Sequence, residues 1–258
     1  MQKHIPRHRF GQNFLIDTHY IDRIIDAIAP CEGDKLLEIG PGLGALTGKL
    51  IERADKLSAI EIDRDLAARL RARFPETLTV FEQDALRFDF ASLDCGDWRI
   101  VGNLPYNISS PLLFRLANTA TRLRDIHVML QKEVVQRMEA QPSTPEYGRL
   151  SVMLQAKFRV SKLFSVPPGA FSPTPKVDSA VARLLPLAEN APDIGDETLF
   201  ARIVVTAFTQ RRKTLRNALS SLCQPKDFYV ADIDAGARAE NLSVADFARL
   251  ARCLLARR

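Results

Sequence analysis

Asn103-Leu104-Pro105-Tyr106 is the stretch of this chain whose residue types do the most chemistry. The Asn103 side-chain oxygen and the Leu104 carbonyl can both accept hydrogen bonds from one exocyclic amine. The amine on C6 of adenine is a poor nucleophile because its lone pair is delocalised into the ring. Two acceptors on its hydrogens favour the pyramidal form, in which the pair is localised. Pro105 fixes the backbone direction and supplies no N–H to compete. Tyr106 offers a flat face on which an extruded base can stack, worth roughly 1–3 kcal/mol. The ring supplies that face by itself, so its hydroxyl is expected to be dispensable. No general base is required beforehand, since such an amine becomes strongly acidic only once alkylated.

A second group of residues surrounds Glu38-Ile39-Gly40-Pro41-Gly42-Leu43-Gly44. An apolar run precedes it and a helical pattern follows, so it reads as strand, glycine loop and helix start. Bare backbone there can approach a ligand closely, and the helix N-terminus suits a carboxylate or phosphate. Two ligand classes compete. Gly40-x-Gly42-x-x-Ala45 fits the dinucleotide fingerprint, with Glu61 about 20 residues on for a ribose. S-adenosylmethionine is the other, for which Glu38 and a third glycine at Gly44 are typical. Glu61, at a strand end, can accept two hydrogen bonds from a ribose diol. Asp84 can accept from an adenine amine or cap the segment after it. Phe171, on a loop stiffened by Pro173 and Pro175, reads as a second stacking wall or as a buried anchor.

These residues need elements to hold them. Apolar runs at 35–39, 56–62, 78–82, 98–101 and 126–130 alternate with helical patterns at 65–74, 111–118 and 133–139. That alternation implies a mostly parallel sheet covered on both faces, with ligands outside the carboxyl ends of its strands. Glu38, Glu61, Asp84 and Asn103 all fall at such ends. Asp17 caps a helix carrying Tyr20, Ile21, Ile24, Ile25 and Ile28 at helical spacing. A basic arm with Lys3, Arg7 and Arg9 leads into Gln12-Asn13-Phe14-Leu15, a candidate lid over the ligand. Residues 141–148 are rich in turn formers, and 158–166 and 180–185 read as a closing pair of strands. A linker at 187–196 introduces an all-helical remainder, giving a first domain at 1–187 and a second at 188–258.

In that remainder, 197–222 reads as one helix. Leu199, Ile203, Ala207, Phe208, Leu215 and Leu219 gather on one side of it. Arg202, Arg212, Lys213 and Arg216 gather on the other, a stripe that suits a phosphate backbone or an ordinary solvated face. Arg211 falls on the apolar side. It requires a break near Thr209 or a buried acidic partner.

Bulk properties narrow the class. The 258 residues are 46% hydrophobic, enough for one sizeable core and a smaller one, and the net charge of +5 favours a polyanionic partner. Cys31, Cys95, Cys223 and Cys253 lie far apart without a C-x-x-C pair, which argues for free thiols in a reducing cytosol and against zinc. The first fifteen residues hold no apolar run of a signal peptide, and no stretch approaches the roughly 18 apolar residues of a membrane span. A cytoplasmic protein is expected, without metal and without membrane attachment.

Gln12-Asn13-Phe14-Leu15, Glu38-x-Gly40-x-Gly42-x-Gly44, Ile60-Glu61-Ile62-Asp63, Gln83-Asp84-Ala85, Asn103-Leu104-Pro105-Tyr106 and Phe171-x-Pro173-x-Pro175-Lys176-Val177-x-Ser179 resemble, in order and spacing, the motifs of the rRNA adenine dimethyltransferases. The likeness spans nearly the whole chain. Residues 210–217 are similar to the branch acting on small-subunit RNA; the branch acting on large-subunit RNA is the nearest alternative. The resemblance implies an α/β class I methyltransferase fold, Rossmann-like with a mostly parallel seven-stranded sheet, and a small helical C-terminal domain. It implies S-adenosylmethionine as donor and, as target, two adjacent adenosines near the 3′ end of small-subunit rRNA in a pre-assembled particle. A monomer is expected. Asn13, Leu15, Gly40, Glu61, Asp84 and Asn103 would contact the donor; Asn103, Leu104, Tyr106 and Phe171 would hold the adenine. A nicotinamide-dependent oxidoreductase leaves Asn103-Leu104-Pro105-Tyr106 without a role. An assembly factor acting by binding alone is the rival of a different class.

Overall fold

The computed structural model describes residues 12–94 and 96–257. The basic arm with Lys3, Arg7 and Arg9, and Cys95, lie outside the described residues. In chain order the elements are β1 (Phe14–Leu15), α1 (Thr18–Ile28), β2 (Lys35–Ile39), α2 (Thr47–Ala54), β3 (Leu57–Glu61), α3 (Arg64–Arg73), β4 (Leu78–Glu82), β5 (Trp98–Asn103), α4 (Ser109–Ala117), β6 (Leu123–Gln131), α5 (Lys132–Glu139) and α6 (Arg149–Gln155). There follow β7 (Phe158–Val166), β8 (Phe171–Ser172), β9 (Ser179–Pro186), α7 (Glu197–Thr209), α8 (Leu215–Ala218), α9 (Pro225–Val230) and α10 (Val244–Ala256).

Seven strands form one sheet in the order β4-β3-β2-β5-β6-β9-β7. The pairs β4·β3, β3·β2, β2·β5 and β5·β6 are parallel, and β9 runs antiparallel to β6. The chain winds outward from β2 to β3 and β4, then returns to place β5 on the other side of β2. That reversal opens a crevice at the carboxyl ends of β2 and β5, where ligands of such sheets bind. The strand expectations from 35 to 130 all correspond to strands, because short apolar runs between amphipathic helices are buried on both faces.

One face of the sheet is covered by α1. Its Ile21, Ile24, Ile25 and Ile28 are buried against Leu36, Val101 and Met129 among others, each contributing roughly 1.5–3 kcal/mol relative to exposure. The Asp17 carboxylate accepts the His19 N–H at 2.9 Å and starts the helix; Ala29, at φ 47°, ends it.

The chain divides into two compact units, and the second takes residues 136–160 as well as the segment from Leu187 onward. The sequence reading placed 136–160 with the first domain. Local sequence pattern does not record which core a segment joins. Here Tyr147, Val152 and Ala156 pack with Phe200, Ile203, Phe247 and Leu250. The fully buried Tyr147 donates its hydroxyl to the Leu242 carbonyl at 2.9 Å.

The single helix expected over 197–222 is two helices. After α7 ends at Thr209, the Leu215 and Arg216 N–H groups donate to the carbonyls of Ala237 and Ala235, at 2.8 and 3.0 Å, not to a preceding helical turn. Arg211, the cation on the apolar side, leaves the helix. It binds Glu240 at 2.8 Å and the Pro145 carbonyl at 2.7 Å. The break near Thr209 is the remedy found; Arg211 is exposed and its acidic partner Glu240 is only half-buried.

Candidate active site

The glycine loop follows β2 and faces the crevice. Gly42 has φ 60°, and a Cβ there would stand 3.1 Å from two carbons of the Phe14 ring. A side chain is thus excluded twice, by the left-handed backbone and by Phe14. No side chain caps the start of α2 at Leu46, so its first-turn N–H groups lack that competitor.

Glu61 ends β3 and is 5% exposed. Its two oxygens accept the Gly42 N–H at 3.1 Å and the Asp63 N–H at 2.9 Å. Burial pushes its carboxyl up, against the pull of those backbone donors. Asp63 itself is fully buried; it caps α3 through the Asp65 N–H at 3.0 Å and accepts the Gln12 amide at 3.3 Å. Glu38, 2% exposed, accepts the Thr47 hydroxyl at 2.7 Å. Burial raises its pKa to about 7; the Thr47 bond opposes this and the Glu61 charge adds to it. Two acids near each other in one apolar pocket resist ionising together.

Across the crevice, Asn103 closes β5. Its amide N–H donates to the Asn13 carbonyl at 3.1 Å, which fixes the side chain and leaves the amide oxygen as its acceptor. Leu104 is buried, with its N–H on the Met129 carbonyl at 3.1 Å. Tyr106 is half-buried and its hydroxyl lies 3.0 Å from Ser179 Oγ. The hydroxyl expected to be dispensable therefore has a partner. Phe171 is 3% exposed and packs within the α1-side core while also lining the cavity. The anchor reading holds for most of its ring.

Gln12–Leu15 forms a strap at this site. β1 pairs antiparallel with β8, Phe14 opposite Ser172 and Leu15 opposite Phe171. Sequence periodicity could not show a ladder of two residues. Asp84 gives one carboxylate oxygen to the Leu86 N–H at 2.8 Å, the capping use foreseen for it.

One cavity of about 330 Å³ gathers these groups, within the usual range for small-ligand sites. Asn13, Leu15, Gly40, Glu61, Asp84, Asn103, Leu104, Tyr106 and Phe171 all line it, as do Glu38 and Gln12. Arg202, Arg212, Lys213 and Arg216 are in the second unit and are exposed. Arg202 is on α7 and Arg216 on α8, with Arg212 and Lys213 in the turn between, so they do not form one helical stripe. Ser179 and Asp63 were not singled out by chemistry in the sequence. Their signal was position, one opening β9 and the other following a strand end.

A sheet of this order, with a glycine loop after β2 and an acid ending the neighbouring β3, is that of a class I methyltransferase. The sequence profile of the ribosomal RNA adenine dimethylase family matches residues 3–255, and the chain belongs to that family. A Thiobacillus denitrificans protein named ribosomal RNA small subunit methyltransferase A is 57% identical over 255 residues, 98% of this chain and 100% of its own. A protein of the same name from Aromatoleum aromaticum is 55% identical over 258 residues, 100% of this chain and 97% of its own. Among solved structures, a dimethyladenosine transferase from Plasmodium falciparum superposes with a TM-score of 0.80 at 28% identity, covering 92% of this chain and 95% of that one. The 23S rRNA methyltransferase ErmE gives 0.70 at 27%, covering 94% and 99%.

Proposed function

We propose that this protein transfers methyl groups from S-adenosylmethionine to the N6 amines of two adjacent adenosines near the 3′ end of small-subunit rRNA. It acts on a pre-assembled particle, in the cytoplasm, as a monomer. One observation carries the reading: Asn103, held by the Asn13 carbonyl, lines the same cavity as Glu61. A site for an amine thus adjoins a site for a ribose.

The residues fit the donor. The glycine loop lines the cavity with bare backbone at Gly40 and Gly42, and the Glu61 oxygens, already bonded to backbone N–H groups, can also accept from a ribose diol. Asn13 and Leu15 line the same cavity, and Asp84 has a second oxygen for the adenine amine. When bound, the donor supplies an electrophilic methyl on a sulfonium.

Asn103 and the Leu104 carbonyl take hydrogen bonds from the target amine and localise its lone pair. Those bonds strengthen as the nitrogen pyramidalises, so they lower the barrier and not only the binding energy. The nitrogen gains the methyl and sheds a proton that has become strongly acidic. Tyr106 stacks on the base, and Phe171 lines the site from the core behind it. Arg202, Arg212, Lys213 and Arg216 neutralise RNA phosphates. Primer-extension mapping of small-subunit rRNA from cells lacking the protein tests this. Loss of two adjacent stops near the 3′ end supports it; unchanged stops there, or changes in large-subunit RNA instead, count against it.

A further inference from the structure

Tyr106 sits in the turn after β5, and Ser179 is the first residue of β9. Between those strands lies β6, so the Tyr106–Ser179 contact links the turn after β5 to a strand two places along the sheet. β6 is parallel to β5, whereas β9 is antiparallel to β6. An antiparallel strand brings its start to the edge where parallel strands end. Ser179, paired in register with Gln131 at the end of β6, is thereby delivered to the functional edge of the sheet.

Both ends of the tyrosine are fixed. Its backbone is held in a turn in which the Ile108 N–H and the Ser109 hydroxyl both donate to the Pro105 carbonyl, at 3.2 and 3.0 Å. Its hydroxyl shares a 3.0 Å hydrogen bond with Ser179 Oγ. Ser179 is 1% exposed, and the Lys132 N–H donates to the adjoining Asp178 carbonyl at 3.0 Å. A ring anchored at one end only can rotate about two side-chain bonds; anchored at both ends, it keeps one plane.

We infer that Ser179 is a positioning residue for the methyl transfer, setting the plane of the Tyr106 ring on which the target adenine stacks. The inference rests on the proposed function. A base held in one plane keeps its amine on Asn103 and the Leu104 carbonyl through both transfers. A ring free to tilt lets the base shift, and the second transfer, which has one amine hydrogen fewer to guide it, suffers more.

The test compares the full-length protein with Ser179→Ala, Tyr106→Phe and the double variant on unmethylated small-subunit particles. The turnover rate is measured at saturating donor and RNA, and the mono- and dimethyladenosine formed are measured by mass spectrometry. Each single variant should lose about fivefold in rate, as for one neutral hydrogen bond, and should accumulate monomethyladenosine. Donor affinity by calorimetry should stay within error, and the melting temperature should fall by no more than about 2–4 °C, the cost of one hydrogen bond. Because both substitutions delete one bond, the double variant should be no slower than either single one. Normal rate and product ratio in Ser179→Ala overturn the inference, as do losses that multiply in the double variant or that accompany a fall in melting temperature beyond about 4 °C. Failure of the unmodified protein to methylate these particles is a separate result: it overturns the proposed function, and the inference with it.

Discussion

Glu61 accepts the Gly42 N–H at 3.1 Å, which ties the end of β3 to the loop that follows β2. One carboxylate therefore shapes the glycine loop and presents acceptors to a ribose. Glu61→Ala should lower S-adenosylmethionine affinity about tenfold or more, since unpaired donors in a closed site cost about 1–3 kcal/mol. RNA binding should change little. Calorimetry checks this, and undiminished affinity would remove Glu61 from the donor site.

Gly102, next to Asn103 on β5, has no room for a side chain. A Cβ there would stand 2.7 Å from the Ile39 carbonyl oxygen and 2.9 Å from Leu104 Cδ2. Gly102→Ala should destabilise the fold by about 1–3 kcal/mol through overpacking between β2 and β5. Denaturant unfolding measures it; a loss below about 0.5 kcal/mol would mean the two strands yield easily at this point.

Glu38 makes stability depend on pH. Burial holds its proton in the folded protein up to about pH 7, while the unfolded chain releases it near 4.5. Its contribution is full below the lower value and is lost as pH rises through the upper one, a span of about 3 kcal/mol. Glu38→Gln lacks this titration. Its melting temperature relative to the parent should therefore rise across that window. A constant difference from about pH 5 to 8 would show that Glu38 ionises at the same pH folded and unfolded.

The strand ends were legible because they depend on local pattern: apolar runs, a glycine loop, and an acid or amide at each carboxyl end. What escaped depends on contacts between distant residues. The pairing of Leu15 with Phe171 spans most of the first unit in sequence and is two residues long. Phe171 reads as a stacking wall from its proline-stiffened loop; only the packed core shows how much of the ring is buried. Helical periodicity ran through Thr209 because it does not register that the Leu215 and Arg216 N–H groups bond to residues 235–237. The Tyr106–Ser179 bond follows from strand order, which no single segment records.

The break after Thr209 puts Arg212 in a turn and Arg216 on a separate short helix, and both remain exposed. Reversing both charges should weaken binding to small-subunit particles and flatten its salt dependence, by about one counterion per lost phosphate contact. Donor affinity should not move. An unchanged salt slope would return these residues to an ordinary solvated surface.

In the proposed function, Asn103 activates an adenine amine for two successive methylations on small-subunit RNA. The direct measurement incubates unmethylated small-subunit particles with S-adenosylmethionine and the protein, then quantifies methylated adenosines in nuclease digests by mass spectrometry. Two N6,N6-dimethyladenosines per particle are expected. Asn103→Ala should bind the particles normally while losing at least about tenfold in turnover, the equivalent of one hydrogen bond to a developing charge. Monomethyladenosine as the end product, methylation of large-subunit RNA in its place, or an Asn103→Ala variant with full turnover at saturation would contradict the proposed function.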